Sequence, residues 1–60
     1  MTELAKINFR IVRLRTRIRG MQSDIRGLTN AGLDCGNACE RLRRTQRELL
    51  ELIAQRDACA

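Results

Sequence analysis

The chain has 60 residues, with 12 basic and seven acidic side chains and a formal charge of +5. A chain of this length forms at most one domain, here residues 1–60, and hides only about 60% of its unfolded surface, which excludes nucleotide-binding α/β folds, barrels and most self-contained enzymes. Because His is absent, the usual general base and the commonest neutral metal ligand are missing. We therefore expect a protein that is not an enzyme and has no cofactor, metal ion or small-molecule substrate.

The first predicted element is a long helix over residues 3–31. Apolar residues recur at spacings of three and four through four heptads, the pattern of a helix that packs along one face. These eight predicted core residues are Leu4, Ile7, Ile11, Leu14, Ile18, Met21, Ile25 and Leu28. Residues 13–19 also alternate Arg with another residue, as a half-buried strand does. A basic strand at about residues 7–13 before two helices would resemble the ribbon-helix-helix repressors, but the unbroken heptad favours the helix.

A second stripe of small or apolar residues follows the opposite side of this helix. We call it the outer stripe, and its members are Ala5, Phe9, Val12, Thr16, Gly20, Ser23 and Gly27. Basic residues flank it on both sides, and an apolar centre with an Arg rim is typical of protein interfaces. We predict that a partner binds at Phe9, Val12, Arg13, Arg17 and Arg19. The alternative is a solvated face, because isolated exposed apolar residues are common.

A tight turn is predicted at residues 32–34. Gly32 can adopt the left-handed conformation that ends a helix, with Leu33 placed to pair with Leu28. Asp34 can then cap the next helix. Asn37, with Glu40 three residues later, offers a slightly later cap.

The second predicted helix covers residues 35–58 and also has one apolar face. That face comprises Cys35, Ala38, Cys39, Leu42, Leu49, Leu50, Leu52 and Ile53, and we expect Leu42, Leu49 and Ile53 to join the core. Thr45 and Gln46 are expected to interrupt it. On the polar side, three pairs of opposite charge at i,i+4 should stabilise the helix: Glu40–Arg44, Arg44–Glu48 and Arg47–Glu51.

The predicted fold is therefore all-α, a two-helix antiparallel hairpin. Two helices of this size bury too little apolar area to be stable alone, so we expect a homodimer that forms a four-helix bundle or coiled-coil assembly. In size and topology, though in no motif, such a hairpin resembles the repressor-of-primer proteins of plasmids, which are dimers that bind paired RNA loops.

The chain has three cysteines, Cys35, Cys39 and Cys59, whose redox state depends on the cellular compartment. The sequence shows neither a secretory signal nor a membrane span, so we expect a cytoplasmic protein with reduced thiols and no membrane association. Cys35 and Cys39 lie four residues apart, and two thiols alone make a poor zinc site. We expect them to act as small apolar side chains, with a disulfide as the alternative in an oxidising compartment.

The excess positive charge lies in residues 1–32, which hold seven cations and two carboxylates, whereas residues 33–60 hold five of each. Eleven of the 12 cations are Arg, whose planar fork suits carboxylates and phosphates, although a GC-rich genome also favours Arg. We predict a small regulatory adaptor or inhibitor, of the type that phages and plasmids encode, that binds a protein partner. The alternative is a dimeric nucleic-acid-binding regulator that contacts the RNA or DNA backbone.

Overall fold

A computed structural model describes residues 2–59 as two α-helices joined by a short link. Helix α1 spans Glu3–Asn30 and helix α2 spans Gly36–Cys59. The helices pack against each other in a rod of 45 × 16 × 12 Å. The predicted all-helical hairpin is thereby confirmed, and residues 7–13 are helical, so the strand alternative is wrong. Neither helix is long and apolar enough to cross a membrane.

Helix α1 begins at a side-chain cap that the sequence analysis did not identify. The hydroxyl of Thr2 accepts a hydrogen bond from the backbone N–H of Ala5 at 3.1 Å. Such a cap satisfies one of the N–H groups that lack a partner at a helix start. Glu3 adds a carboxylate to the first turn, and its Oε1 lies 3.5 Å from Nζ of Lys6. A negative charge at this end stabilises the helix through its dipole.

The turn after α1 is closed by two backbone hydrogen bonds. The N–H of Gly32 donates to the carbonyl of Thr29 at 3.1 Å, and that of Leu33 donates to the carbonyl of Leu28 at 2.9 Å. Gly32 has a φ of 73°, the left-handed conformation that this ending requires and that the sequence predicts. The Leu33 side chain stays largely exposed, so the backbone bonds, more than an apolar contact, hold the turn.

The link is longer than predicted, at residues 31–35. Cys35, and not Asp34, directly precedes α2, and its carbonyl accepts from the N–H of Cys39 at 2.7 Å. The Asp34 carboxylate still contacts the helix start, because it accepts from the N–H of Gly36 at 2.9 Å. Helix α2 therefore begins and ends one residue later than predicted.

The centre of the hairpin holds the best-buried side chains of α1. Ile7, Ile11, Leu14 and Ile18 are buried, and Ile11 is only 2% exposed. The other four predicted core positions differ: Leu4 is exposed, and Met21, Ile25 and Leu28 are half-buried. Towards the link, the half-buried residues of α2 before Leu42 are the small Ala38 and Cys39.

Helix α2 packs through a slightly different face from the predicted one. Leu42, Leu49 and Ile53 are only half-buried, whereas Thr45 is buried. The expectation that Thr45 interrupts the packing face is wrong, because its hydroxyl donates to the carbonyl of Arg41 at 2.8 Å and so needs no water. Leu50, expected on the apolar face, is 66% exposed.

Candidate functional site

An open groove of about 670 Å³ lies along one side of the hairpin, between α1 and the second half of α2. We call it the arginine groove. Its residues from α1 are Arg10, Val12, Arg13, Leu14, Thr16 and Arg17. Its residues from α2 are Glu48, Glu51, Leu52 and Gln55. Leu14 and Leu52 belong to the seam where the helices meet, so the groove has an apolar base between polar walls.

The two walls of the arginine groove have opposite charge. Arg10, Arg13 and Arg17 are exposed on the α1 wall, and Glu48 and Glu51 are exposed on the α2 wall. Within residues 2–59, none of these five side chains lies within 4.0 Å of an oppositely charged group. In particular, Arg44 pairs with Glu40 at 3.2 Å instead of with Glu48. Both walls therefore offer charges that a bound molecule can satisfy.

Phe9, beside this groove, and Val12, in its lining, supply exposed apolar surface. They are 55% and 61% exposed, respectively. The guanidinium carbon of Arg13 lies 5.7 Å from the centre of the Phe9 ring, within the range of a cation–π interaction. This contact places the ring next to the α1 wall, because Arg13 also lines the groove.

The structure brings most of the predicted partner-binding residues together. Val12, Arg13 and Arg17 line the groove, and Phe9 is joined to them through Arg13. Arg19 does not line the groove: at 100° per residue it projects from the opposite flank of the outer stripe. Sequence reasoning missed the contribution of α2. The spacing of its groove residues, at 48, 51, 52 and 55, indicates one helix flank, but nothing local indicates that this flank faces the arginines.

The two glycines of the outer stripe have no packing role within the chain. A Cβ atom added at Gly20 or Gly27 would meet nothing within 4 Å. Glycine in a helix interior costs roughly 1 kcal/mol relative to alanine. The absence of a close neighbour within the hairpin leaves both positions open to the approach of another molecule.

Replacing both glycines by alanine is therefore expected to stabilise the protein. Gly20→Ala with Gly27→Ala should raise the free energy of unfolding by about 2 kcal/mol, since each removes a helix penalty of about 1 kcal/mol. Urea denaturation followed by circular dichroism measures the change. A lower stability would show that a neighbour does occupy this space. If the variant also binds a partner with unchanged affinity, the glycines of the outer stripe take no part in docking.

No group of three or more His, Cys, Asp or Glu side chains that could hold a metal ion occurs within residues 2–59. By its fold, the protein is a small basic helical hairpin. The groove between its two helices has an apolar base and charged walls. Comparison with protein-family models, curated proteins and solved structures finds no match.

Proposed function

We propose that the protein is a non-catalytic regulator, an adaptor or inhibitor, that binds a protein partner through the arginine groove and the adjoining Phe9. The observation that carries the proposal is the exposed apolar surface of Phe9 and Val12 beside arginines that have no ionic partner. Aromatic and Arg side chains are the residues that most often dominate binding energy at protein interfaces. An apolar centre with a charged rim is the arrangement such interfaces share.

The shape and charge of the groove favour an amphipathic helix as the bound segment. A groove that runs between two packed helices can accept a third helix whose apolar side lies on Leu14 and Leu52. From Arg10 to Arg17 the α1 wall extends about 10 Å along the helix axis, which corresponds to about two turns of a bound helix. Carboxylates on one side of that helix would meet the Arg wall, and basic or amide groups would meet Glu48 and Glu51.

Nucleic acid is the second candidate, and one observation favours it. Within the described residues, none of the six arginines of α1 lies within 4.0 Å of a carboxylate, as expected of a surface that binds phosphates. The opposite wall of the groove argues against it, because Glu48 and Glu51 would repel a phosphate backbone that enters there. Phe9 is also the only aromatic residue in the chain, so base stacking has one platform.

An affinity capture from a lysate of the organism that encodes the protein distinguishes the two candidates. The tagged chain is incubated with lysate before and after nuclease treatment. A discrete protein that remains bound after nuclease supports the protein-binding function. If all bound material disappears with nuclease, and DNA or RNA is recovered without it, the groove function is wrong and the arginines bind nucleic acid.

We also propose that two copies associate into a four-helix bundle. The hairpin exposes 4895 Å², whereas a folded monomer of its mass, 6.9 kDa, is expected to expose about 4,000 Å². The surplus of about 900 Å² is close to the roughly 800 Å² that each partner buries in a standard protein interface. Burying this surplus against a second copy would reduce the exposed surface area of each chain to that of an ordinary folded protein of the same mass.

The side of the hairpin opposite the arginine groove is the surface best suited to this association. Leu42, Leu49 and Ile53 are half-buried there, and Leu50 is 66% exposed. At 100° per residue, Leu50 projects about 160° away from Glu48, so it faces away from the groove. A dimer formed through this apolar edge would leave one groove accessible on each copy.

Replacing Leu50 by a charged residue is expected to give a monomer. Wild-type protein at micromolar concentration should show twice the mass of 6.9 kDa in light scattering, and Leu50→Glu should show the single-chain mass, because a buried unpaired charge is costly. Gln55→Glu, on the groove side, is the matched control and should remain dimeric. A wild-type mass of one chain at every concentration contradicts the dimer.

A further inference from the structure

Cys35 and Cys39 bring their sulfur atoms together at the start of α2. The two Sγ atoms are 2.9 Å apart, and both residues are only half-buried. This separation is shorter than the usual contact between two unbonded sulfurs, and about 1 Å longer than a disulfide bond of roughly 2.05 Å. Two thiolates on one zinc ion at about 2.3 Å each would lie nearly 4 Å apart. The observed separation lies between these two values, but residues 2–59 hold no group of three or more ligands that could complete a metal site, so the pair fits a disulfide better than a shared metal ion.

The backbone already holds the two residues in position for a bond. Cys35 lies in the link and Cys39 in the first turn of α2, and the N–H of Cys39 donates to the carbonyl of Cys35 at 2.7 Å. Because Cys35 precedes the helix, its conformation is not restricted by helical neighbours on both sides. The two residues therefore lie side by side at the start of α2 before any bond forms.

A hydrogen bond joins the two thiols in the reduced protein. The pKa of Cys39 is raised, first because its thiol hydrogen-bonds to Cys35 and second because burial disfavours the thiolate, while the positive charge of Arg43 acts in the opposite direction. Their hydrogen bond keeps the Cys39 thiol protonated, and access from solvent allows an oxidant to reach the pair.

We propose that Cys35 and Cys39 are a reversible modification site that forms an intrachain disulfide with low-molecular-weight disulfides such as glutathione disulfide. One thiol attacks the glutathione disulfide, forms a mixed disulfide and releases one glutathione. The second thiol then attacks the protein sulfur of the mixed disulfide and releases the other glutathione. The two protein thiols are oxidised to one disulfide, and one glutathione disulfide is reduced to two glutathione molecules, which carry the two thiol protons.

This site is independent of the proposed partner binding. In a reducing compartment a disulfide of this kind is transient and redox-sensing. Its formation would fasten the link to the first turn of α2, next to the Asp34 contact with the N–H of Gly36. The oxidised and reduced proteins would then differ at the point where the two helices connect.

Peptide mapping of the full chain tests the proposal directly. The protein is equilibrated in glutathione buffers, quenched, alkylated and digested with trypsin. Cleavage after Arg26 and Arg41 releases residues 27–41, which contain both cysteines, whereas Cys59 falls in residues 57–60. As the buffer becomes oxidising, peptide 27–41 should lose two hydrogen atoms and both alkylation sites, while the exposed Cys59 should carry either an alkyl group or a single glutathione.

Two variants complete the test. Cys59→Ser should give the same oxidation as the wild type, and Cys39→Ser should give only a glutathione adduct on Cys35. The proposal is overturned if peptide 27–41 still takes two alkyl groups in glutathione disulfide alone. It is equally overturned if Cys35 or Cys39 is recovered joined to Cys59 or to a second chain.

Discussion

Replacing Ile11 by Ala is expected to lower the free energy of unfolding by about 3 kcal/mol. Ile11 is 2% exposed and is the best-buried of the four buried apolar side chains. Truncation of a buried Ile removes its transfer free energy and leaves a cavity, at a cost of roughly 2–5 kcal/mol. Small single domains have little stability in reserve, so the loss should shift the urea midpoint of the circular-dichroism signal strongly and leave part of the chain unfolded.

The neighbouring residue provides the control. Val12 is 61% exposed on the other side of α1, so Val12→Ala should change stability by no more than about 0.5 kcal/mol. Equal losses for the two variants would contradict the packing face described above. Unfolding should be compared at one protein concentration, because a dimer makes apparent stability depend on concentration.

Charge reversal in the arginine groove is expected to reduce partner binding about 100-fold. Arg13→Glu with Arg17→Glu places carboxylates on the α1 wall, where the proposed acidic helix would bind, and like charges across an interface cost several kcal/mol. Both side chains are exposed, so the fold should be retained. Titration of the captured partner against wild type and variant by calorimetry measures the change.

A second double variant makes this test specific to the groove. Arg15→Glu with Arg19→Glu has the same change in net charge but alters the other flank of the outer stripe. A protein partner in the groove should bind it with affinity within a few-fold of the wild type. Both double variants could instead lose affinity equally, with the wild-type affinity falling as the salt concentration rises. In that case the charge of α1 as a whole is responsible for binding, as in nucleic-acid recognition.

Much of the hairpin follows from interactions between residues close in sequence. The heptad from Leu4 to Leu28 specifies a helix face, because side chains three and four apart share a side of a helix. Gly32 specifies the end of α1, because a left-handed residue closes the last carbonyls. These signals are local, so the two helices and the turn between them were predictable to within about one residue at their adjoining ends.

The tertiary structure decided which flank of α2 meets α1. The rotation of α2 about its own axis buries Thr45 and leaves Leu50 exposed, although hydrophobicity alone ranks them the other way. The same rotation places Glu48 and Glu51 opposite Arg13 and so creates the groove. The sequence by itself determined the helices, the turn and the basic side of α1. The groove depends on the register and rotation of one helix against the other, which follow from packing along the whole seam.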